Sequence, residues 1–574
     1  MDRELGIVLS RVKPMEVEVL VFDEYLNSGD LLWNALVKIP YLDGFAVGVV
    51  VDYERVNPIM EDKELVKRLK HLLEKNQILQ AMKERRELIS AKVRLLTAFD
   101  GSMKRASINV PLAVGEKVYR LIDKDFSIPN FKPYYLGRFY GENILQPLYI
   151  ADFHELGEAF HFVVAGQTGA GKSTLVMLLL VLYAKASHER FMKSFMNTQL
   201  QQGKRMNFFV ISPVPEFRKA FEGNQVGKFG LNLRDVFQSL GYRIEIYDHK
   251  TLAFDRWEVL QELLIQSNIF EILRIKKSEY KERAVEIFIE ELRKKTTLEK
   301  FGSLNIEAIN HIENILLSED FARAIYKQEK SVQELMEDTR RNFNAFREKL
   351  KSIAKLFNRQ TRKAIGELVK DIANDMEGGK VIVVETSYGG NITIQRMVVR
   401  EIVESLKQEG MRLYERDPAL NMNTLVVFDE AHNYAPKRAD DEYLQRLRDS
   451  IIKAYAETRK FGVGWMTIST RLSLLDKHIY QHARVKIIGY GFTSGEDADI
   501  LREEFGRENL ERYWTFADPS DPLSQNKEYS FLISGPITVI SRKEPELLTV
   551  FSSAEEFLSA NQLGKKNNLK NLFK

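Results

Sequence analysis

Eight consecutive residues constrain the fold more than anything else in the chain. Gly166-Gln167-Thr168-Gly169-Ala170-Gly171-Lys172-Ser173 fits the pattern GxxxxGK[ST]. It follows the apolar, strand-like run Phe160–Ala165 and precedes the apolar, helix-like run Leu175–Ala184. Strand, glycine-rich turn and helix in that order are the context in which the pattern cradles phosphate. Glycines let the backbone curl until its N–H groups face an anion, and the helix N-terminus adds its positive dipole end. Gly166 to Thr174 are therefore the expected nucleotide-binding residues, with Lys172 reaching the terminal phosphates. The Ser173 hydroxyl is placed for Mg²⁺.

Such a loop sits at the C-terminal end of a parallel strand, and the rest of the chain supplies one kind of sheet for it. Phe208–Ser212, Tyr242–Tyr247, Val381–Glu385, Thr424–Asp429, Gly464–Ser469 and Val485–Tyr490 are short apolar runs separated by helical segments. That alternation indicates a mostly parallel sheet covered on both faces. Residues 151–254 and 377–545 read as this α/β core. Between them, 255–376 loses its strand signals and becomes charged and helical, an all-α insertion. Residues 1–150 read as a small β-barrel, because Glu16–Phe22 alternates apolar and polar and Phe45–Val51, Ser107–Leu112, Lys117–Ile122 and Tyr134–Phe139 are strand-like. A helical insertion is expected there at about 58–98, and 546–574 reads as a C-terminal tail.

At 574 residues, 44% apolar and 29% charged, the chain is of ordinary globular composition, which excludes disordered and low-complexity classes. The 84 Lys and Arg against 81 Asp and Glu leave +3, so binding by bulk charge is not expected, while a local basic channel stays open. Cysteine is absent, which removes disulfides, thiol nucleophiles and Cys-built metal sites. The nine histidines are scattered without a metal-type pair. No apolar segment reaches the length of a membrane span and the first residues carry no signal-like stretch, so a cytoplasmic protein is expected.

Two further elements bear on chemistry. In Thr424-Leu425-Val426-Val427-Phe428-Asp429-Glu430-Ala431-His432 an apolar strand ends in two carboxylates. Asp429 suits the metal and Glu430 the polarisation of an attacking water; a solvated acidic turn is the plainer alternative. Glu457-Thr458-Arg459-Lys460-Phe461-Gly462 follows a helix and precedes a strand. Arg459 is either a guanidinium that stabilises transferring phosphate, often from a neighbouring subunit, or a surface arginine at a helix end.

Taken in order, these motifs resemble the HerA family within the HerA/FtsK group of DNA-translocating ATPases. Leu5-Gly6-Ile7-Val8-Leu9 resembles the opening strand of that family's HAS-type barrel, and Leu136-Gly137-Arg138-Phe139 and Leu148-Tyr149-Ile150 its last strands. Asp429-Glu430-Ala431-His432 and Arg459-Lys460-Phe461-Gly462 are similar to the family's acidic and arginine elements. The resemblance implies a RecA-like core and ATP with Mg²⁺ as cofactors. It implies a homohexamer with double-stranded DNA in a central pore and no membrane, and Arg459 acting in trans. It also implies a partner on the barrel face, either a NurA-like nuclease in DNA end processing or a nuclease or sirtuin-like effector in anti-phage defence. Two positions depart from the family pattern. Ser212, in Ser212-Pro213-Val214-Pro215-Glu216-Phe217, stands where Asp is usual. Thr470-Arg471-Leu472 replaces Gln-Arg-Pro, keeping Arg471 as the sensor. Both departures favour the defence-type branch.

DNA contacts are expected from Arg218, Lys219, Lys477 and His478, and from the basic stretch Arg340–Lys363, which could equally be a solvated face. His432 could relay nucleotide state or simply pack. An alternative function is a hexameric ATPase scaffold that regulates an effector and translocates little. A protein-remodelling ATPase would carry a helical lid after the core, and a membrane-anchored pump a spanning segment; neither is visible.

Overall fold

The computed structural model describes residues 3–13, 15–26, 32–56, 88–126, 131–196, 203–224, 229–248, 250–387, 391–417, 420–522, 527–541 and 544–563. The chain is an α/β protein: a RecA-like P-loop core with a mostly parallel sheet, an N-terminal β-barrel and an all-α insertion.

The barrel strands are β1 (Glu4–Lys13), β2 (Glu16–Val21), β3 (Leu36–Tyr41), β4 (Gly44–Val56), β5 (Leu88–Phe99) and β7 (Lys117–Arg120), with the two-residue β6 (Arg105–Ala106) attached to β5. Every pairing is antiparallel, and β2 pairs with β5, so the six longer strands close on themselves. Closure removes the exposed sheet edges. Along β2 the burial alternates, with Val17, Val19 and Val21 inside, as a period of two requires. Two expectations change here. Residues 88–98 form a strand, not helix; their alternating Ala91, Val93 and Leu95 fill the barrel. The remainder of the expected helical insertion, 58–87, lies outside the described residues. Ser107–Leu112 forms no strand.

The second sheet has eleven strands: β8 (Tyr134–Phe139), β9 (Leu145–Leu148), β10 (His161–Ala165), β11 (Asn207–Ser212), β12 (Arg243–Tyr247), β15 (Lys380–Glu385), β16 (Thr424–Phe428), β17 (Val463–Ser469), β18 (Ala483–Gly489), β19 (Ser530–Ser534) and β20 (Glu546–Val550). The short β13 (Leu252–Ala253) and β14 (Lys363–Ala364) pair in parallel where the chain leaves for the helical insertion and returns from it. The order is β12-β15-β11-β16-β17-β10-β18-β19-β20-β8-β9. β12 to β18 are parallel and the last four antiparallel. Thus β8 and β9, expected with the barrel, extend the core sheet. Residues 546–563, expected as tail, supply β20 and the Ala554–Ala560 helix, whose Phe557 is buried. Residues 564–574 lie outside the described residues.

The central strands are apolar on both faces because both are covered. Phe208 and Val210 pack towards the long Lys172–Met196 helix, and Phe209 and Ile211 towards the other side. That second side is continuous with the insertion, whose Phe270, Phe288 and Phe346 join the same buried cluster. The run Leu175–Ala184 is wholly buried in the helix behind the loop, and among the described residues no helix is long and apolar enough to cross a membrane.

Candidate functional site

Strand order brings the sequence motifs together. After β10 the chain moves to one side of that strand for β11, β12, β15, β16 and β17, then returns on its other side as β18. β10 is therefore the switch point of the sheet, where open α/β sheets leave a crevice beyond their strand ends. Register levels those ends: Ala165 pairs with Ser469, Phe428 with Thr467 and with Ile211. Gly166, Thr470, Asp429 and Ser212 consequently meet at one rim. There a cleft of about 300 Å³ is lined by Thr168, Gly169, Gly171, Lys172, Ser173, Thr174, Val214, Glu216, Asp429, Glu430, Thr470 and Tyr529.

The loop has the backbone its glycines predict. Gly169 and Gly171 sit at φ of 87° and 82°, a region costly for other residues. Lys172 is 8% exposed and donates to the carbonyls of Gly166 at 2.7 Å and Gln167 at 3.0 Å. Burial lowers its pKa, and the Glu430, Asp429 and Glu216 carboxylates oppose that shift. Gln167 is anchored across the switch point, its N–H on the Tyr490 carbonyl at 3.0 Å and its side-chain amide on the Gly491 carbonyl at 2.7 Å.

Asp429 is 4% exposed. Ser212 Oγ donates to its Oδ2 at 2.7 Å, and the Glu430 N–H to its Oδ1 at 3.0 Å. Desolvation pushes its pKa up to about 6 even so. Glu430 occupies the left-handed region at φ 49° and ψ 41°, a conformation worth about 1–3 kcal/mol of strain for a non-glycine residue, of the kind that collects at functional sites. His432 Nδ1 lies 3.4 Å from Glu430 Oε2 and 3.3 Å from Ser469 Oγ, so the histidine touches the second residue of the acidic pair.

A divalent cation fits these residues. A desolvated carboxylate at Asp429 and the Ser173 hydroxyl share one cleft, and a nearby positive charge would offset the penalty that burial places on Asp429. Among the described residues no cluster of three or more His, Asp or Glu forms a protein-only metal cage. Magnesium is ordinarily held by one or two carboxylates together with substrate phosphates.

The two arginines part company. Arg471 is exposed on a second cleft of about 690 Å³ beside the loop, shared with Gln167, Thr168 and Thr470. Arg459 lies at the opposite end of β17, on the turn Thr458–Phe461. Seven residues of strand, on the order of 20 Å, separate that turn from the rim. Its Nε lies 3.3 Å from Glu158 Oε2, and Arg484 Nη1 holds Glu158 Oε1 at 2.7 Å. Arg459 cannot reach the cleft of its own chain.

Sequence reasoning missed the contact of Ser212 with Asp429, the position of Ser469 beside His432, and Tyr529 in the cleft wall. Thr470, although shorter than glutamine, does line the cleft. The expected DNA contacts fare unevenly. Arg218 is engaged by Glu222 at 2.8 Å, Glu385 at 3.3 Å and Asp248 at 3.5 Å. His478 is paired with Asp476 at 2.8 Å. In the basic stretch, Arg341, Lys351, Arg359 and Lys363 each pair with a carboxylate, and Arg340, Arg341 and Lys355 are exposed.

Fold and site define a RecA-like P-loop NTPase architecture. No family profile matches the chain, and no curated protein matches it. Solved structures similar to it include the genome packaging NTPase B204 from Sulfolobus turreted icosahedral virus 2 in complex with AMPPCP. That match has 10% identity, covers 68% of this chain and 98% of that one, and has a TM-score of 0.29. The plasmid coupling protein TrwB in complex with GDPNP has 12% identity, coverage of 72% and 88%, and a TM-score of 0.35. The bacterial conjugative coupling protein TrwB in its trigonal form with sulphate has 11% identity, coverage of 75% and 92%, and a TM-score of 0.36.

Proposed function

We propose that this chain is an ATP hydrolase that moves double-stranded DNA as a homohexameric ring, in concert with a nuclease or other effector docked on the barrel face. The observation that carries the ring reading is the separation of Arg459 from its own phosphate loop. A guanidinium at that end of the sheet serves hydrolysis only if a neighbouring subunit's cleft is brought to it, and a closed ring does this for every subunit.

Within the cleft the roles follow from placement. The loop N–H groups and Lys172 bind the triphosphate, with the ammonium exchanging its carbonyl partners for phosphate oxygens. Glu430 orients the attacking water and takes its proton as the water oxygen bonds to the γ-phosphorus and the bond to the bridging oxygen of ADP breaks. Bound through Ser173 and Asp429, Mg²⁺ would supply charge neutralisation on the β- and γ-phosphate oxygens. Arg471 and His432, at the rim and beside Glu430, are the proposed reporters of nucleotide state.

Light scattering of the purified protein with a non-hydrolysable ATP analogue, followed by displacement of a triplex-forming strand from linear duplex DNA, tests the reading. A hexamer that displaces the strand only with ATP is expected. A monomer indifferent to nucleotide would overturn it.

A further inference from the structure

The phosphate end of the cleft is accounted for; its other end is not. Asp429 and Glu430 follow β16, two strands to one side of β10, and Tyr529 precedes β19, two strands to the other side. Because β19 runs antiparallel to β18, with Phe531 opposite Gly489, its first residue lies at the same rim as the phosphate loop. Four strand spacings, roughly 20 Å, therefore separate the acidic pair from Tyr529, with the loop between them.

A bound nucleotide has one orientation in such a cleft. Its reacting terminal phosphate must lie at Lys172, Asp429 and Glu430, so the nucleoside runs past Thr174 towards Tyr529. The tyrosine is half-buried: it packs against the apolar cluster behind the loop and still lines the cleft. Its ring lies against the backbone of the loop. A Cβ on Gly171 would come within 2.6 Å of Tyr529 Cδ1 and 2.8 Å of Cγ. Gly171 is thus required twice, for its φ of 82° and for the ring upon it. No polar side chain able to read a base edge is needed for this arrangement, since every nucleobase has a face to stack.

We infer that Tyr529 is the seat of the nucleobase, an aromatic platform that takes the purine of a nucleoside triphosphate by stacking. This rests on the proposed nucleotide site and assigns to it the half that recognises the nucleoside. Its energetic signature is selective: the platform holds base and ribose and leaves the phosphates untouched.

Two measurements on the full chain test it. Calorimetric titration with ATP and with inorganic tripolyphosphate, both with magnesium, should show Tyr529→Ala weakening ATP about tenfold, as loss of one base–aromatic stack does. Tripolyphosphate affinity should stay unchanged, and Tyr529→Phe should behave as wild type. Equal ATP affinity in Tyr529→Ala and wild type would overturn the assignment. So would equal weakening of both ligands, which would make Tyr529 a prop of the loop. Photolabelling of the wild-type chain with 8-azido-ATP needs no variant: label in the peptide holding Tyr529 is expected, and label confined to another segment contradicts it. A wild-type chain that binds neither ligand would instead sink the nucleotide reading itself.

Discussion

Ser212 Oγ donates a 2.7 Å hydrogen bond to Asp429 Oδ2 while lying 2.9 Å from the Val214 carbonyl. The residue that departs from the expected aspartate therefore steadies the carboxylate proposed for the metal. An aspartate in its place would set a second negative charge against a buried one. Ser212→Ala removes the bond that favours the ionised form, so the Asp429 pKa rises further above about 6. The acid limb of the hydrolysis profile between pH 5 and 9 should move to higher pH. Ser212→Asp should lower kcat at pH 7.5, because a second carboxylate beside Asp429 disfavours its ionised form. An unchanged profile in Ser212→Ala would remove the serine from this role.

Lys172 and Glu430 share the cleft but should fail differently. Lys172→Ala should lose measurable ATP binding, because the ammonium that replaces water around the phosphates is gone. Glu430→Gln should bind ATP as wild type does and lose about 10²–10⁴-fold in kcat, the range for a positioned general base. Equilibrium binding beside steady-state turnover separates the two.

Arg459 offers a test of subunit exchange. Arg459→Ala should keep nucleotide affinity and lose on the order of 10³-fold in hydrolysis, as for a trans-acting guanidinium. Mixing inactive Arg459→Ala with inactive Lys172→Ala subunits should restore part of the activity, because some interfaces then pair an intact loop with an intact arginine. No recovery in the mixture would place Arg459 outside the chemistry.

Glu546 predicts how stability depends on pH. It is 4% exposed and accepts from the Ile540 and Ser541 N–H groups, both at 2.9 Å, and from Gln146 at 2.7 Å. Burial nevertheless pushes its pKa up to about 7. The folded state then holds a proton that the unfolded state has lost, so stability falls as pH rises from about 4.5 through about 7, by at most about 3 kcal/mol. Glu546→Gln keeps an acceptor for both N–H groups, and with the Gln146 amide turned over its new amide donates to Gln146 Oε1, a buried atom without a partner. Its melting temperature should exceed wild type at pH 8 and match it near pH 5; a variant less stable at pH 8 would show that the carboxylate is net stabilising.

The parts of the fold legible in the sequence are those where one signal decides. The six parallel strands inside the sheet, β15, β11, β16, β17, β10 and β18, announce themselves because both faces are largely buried, and the glycine-rich loop because its glycines have steric work at Gly169 and Gly171. The acidic pair at the end of β16 was legible for the same reason. What escaped depends on pairings distant in sequence. β8 reads as a strand continuous with the barrel region before it, and only its partner β20 assigns it to the core sheet. Residues 88–98 read as a continuation of the charged segment before them, yet their contacts with β2 and β4 make them strand. Tyr529 carries no motif, and Ser212 stands out in the sequence only as a departure from the family pattern. Their places follow from strand ends that the fold brings level across the switch point.

Nucleotide chemistry in this cleft is proposed to drive movement along DNA. The most direct measurement is ATP hydrolysis by the purified protein with and without linear double-stranded DNA, alongside Lys172→Ala and Glu430→Gln. Strong stimulation by DNA that both substitutions abolish is expected. Hydrolysis that proceeds at the same rate without DNA would contradict it and leave a ring that organises an effector without moving the duplex.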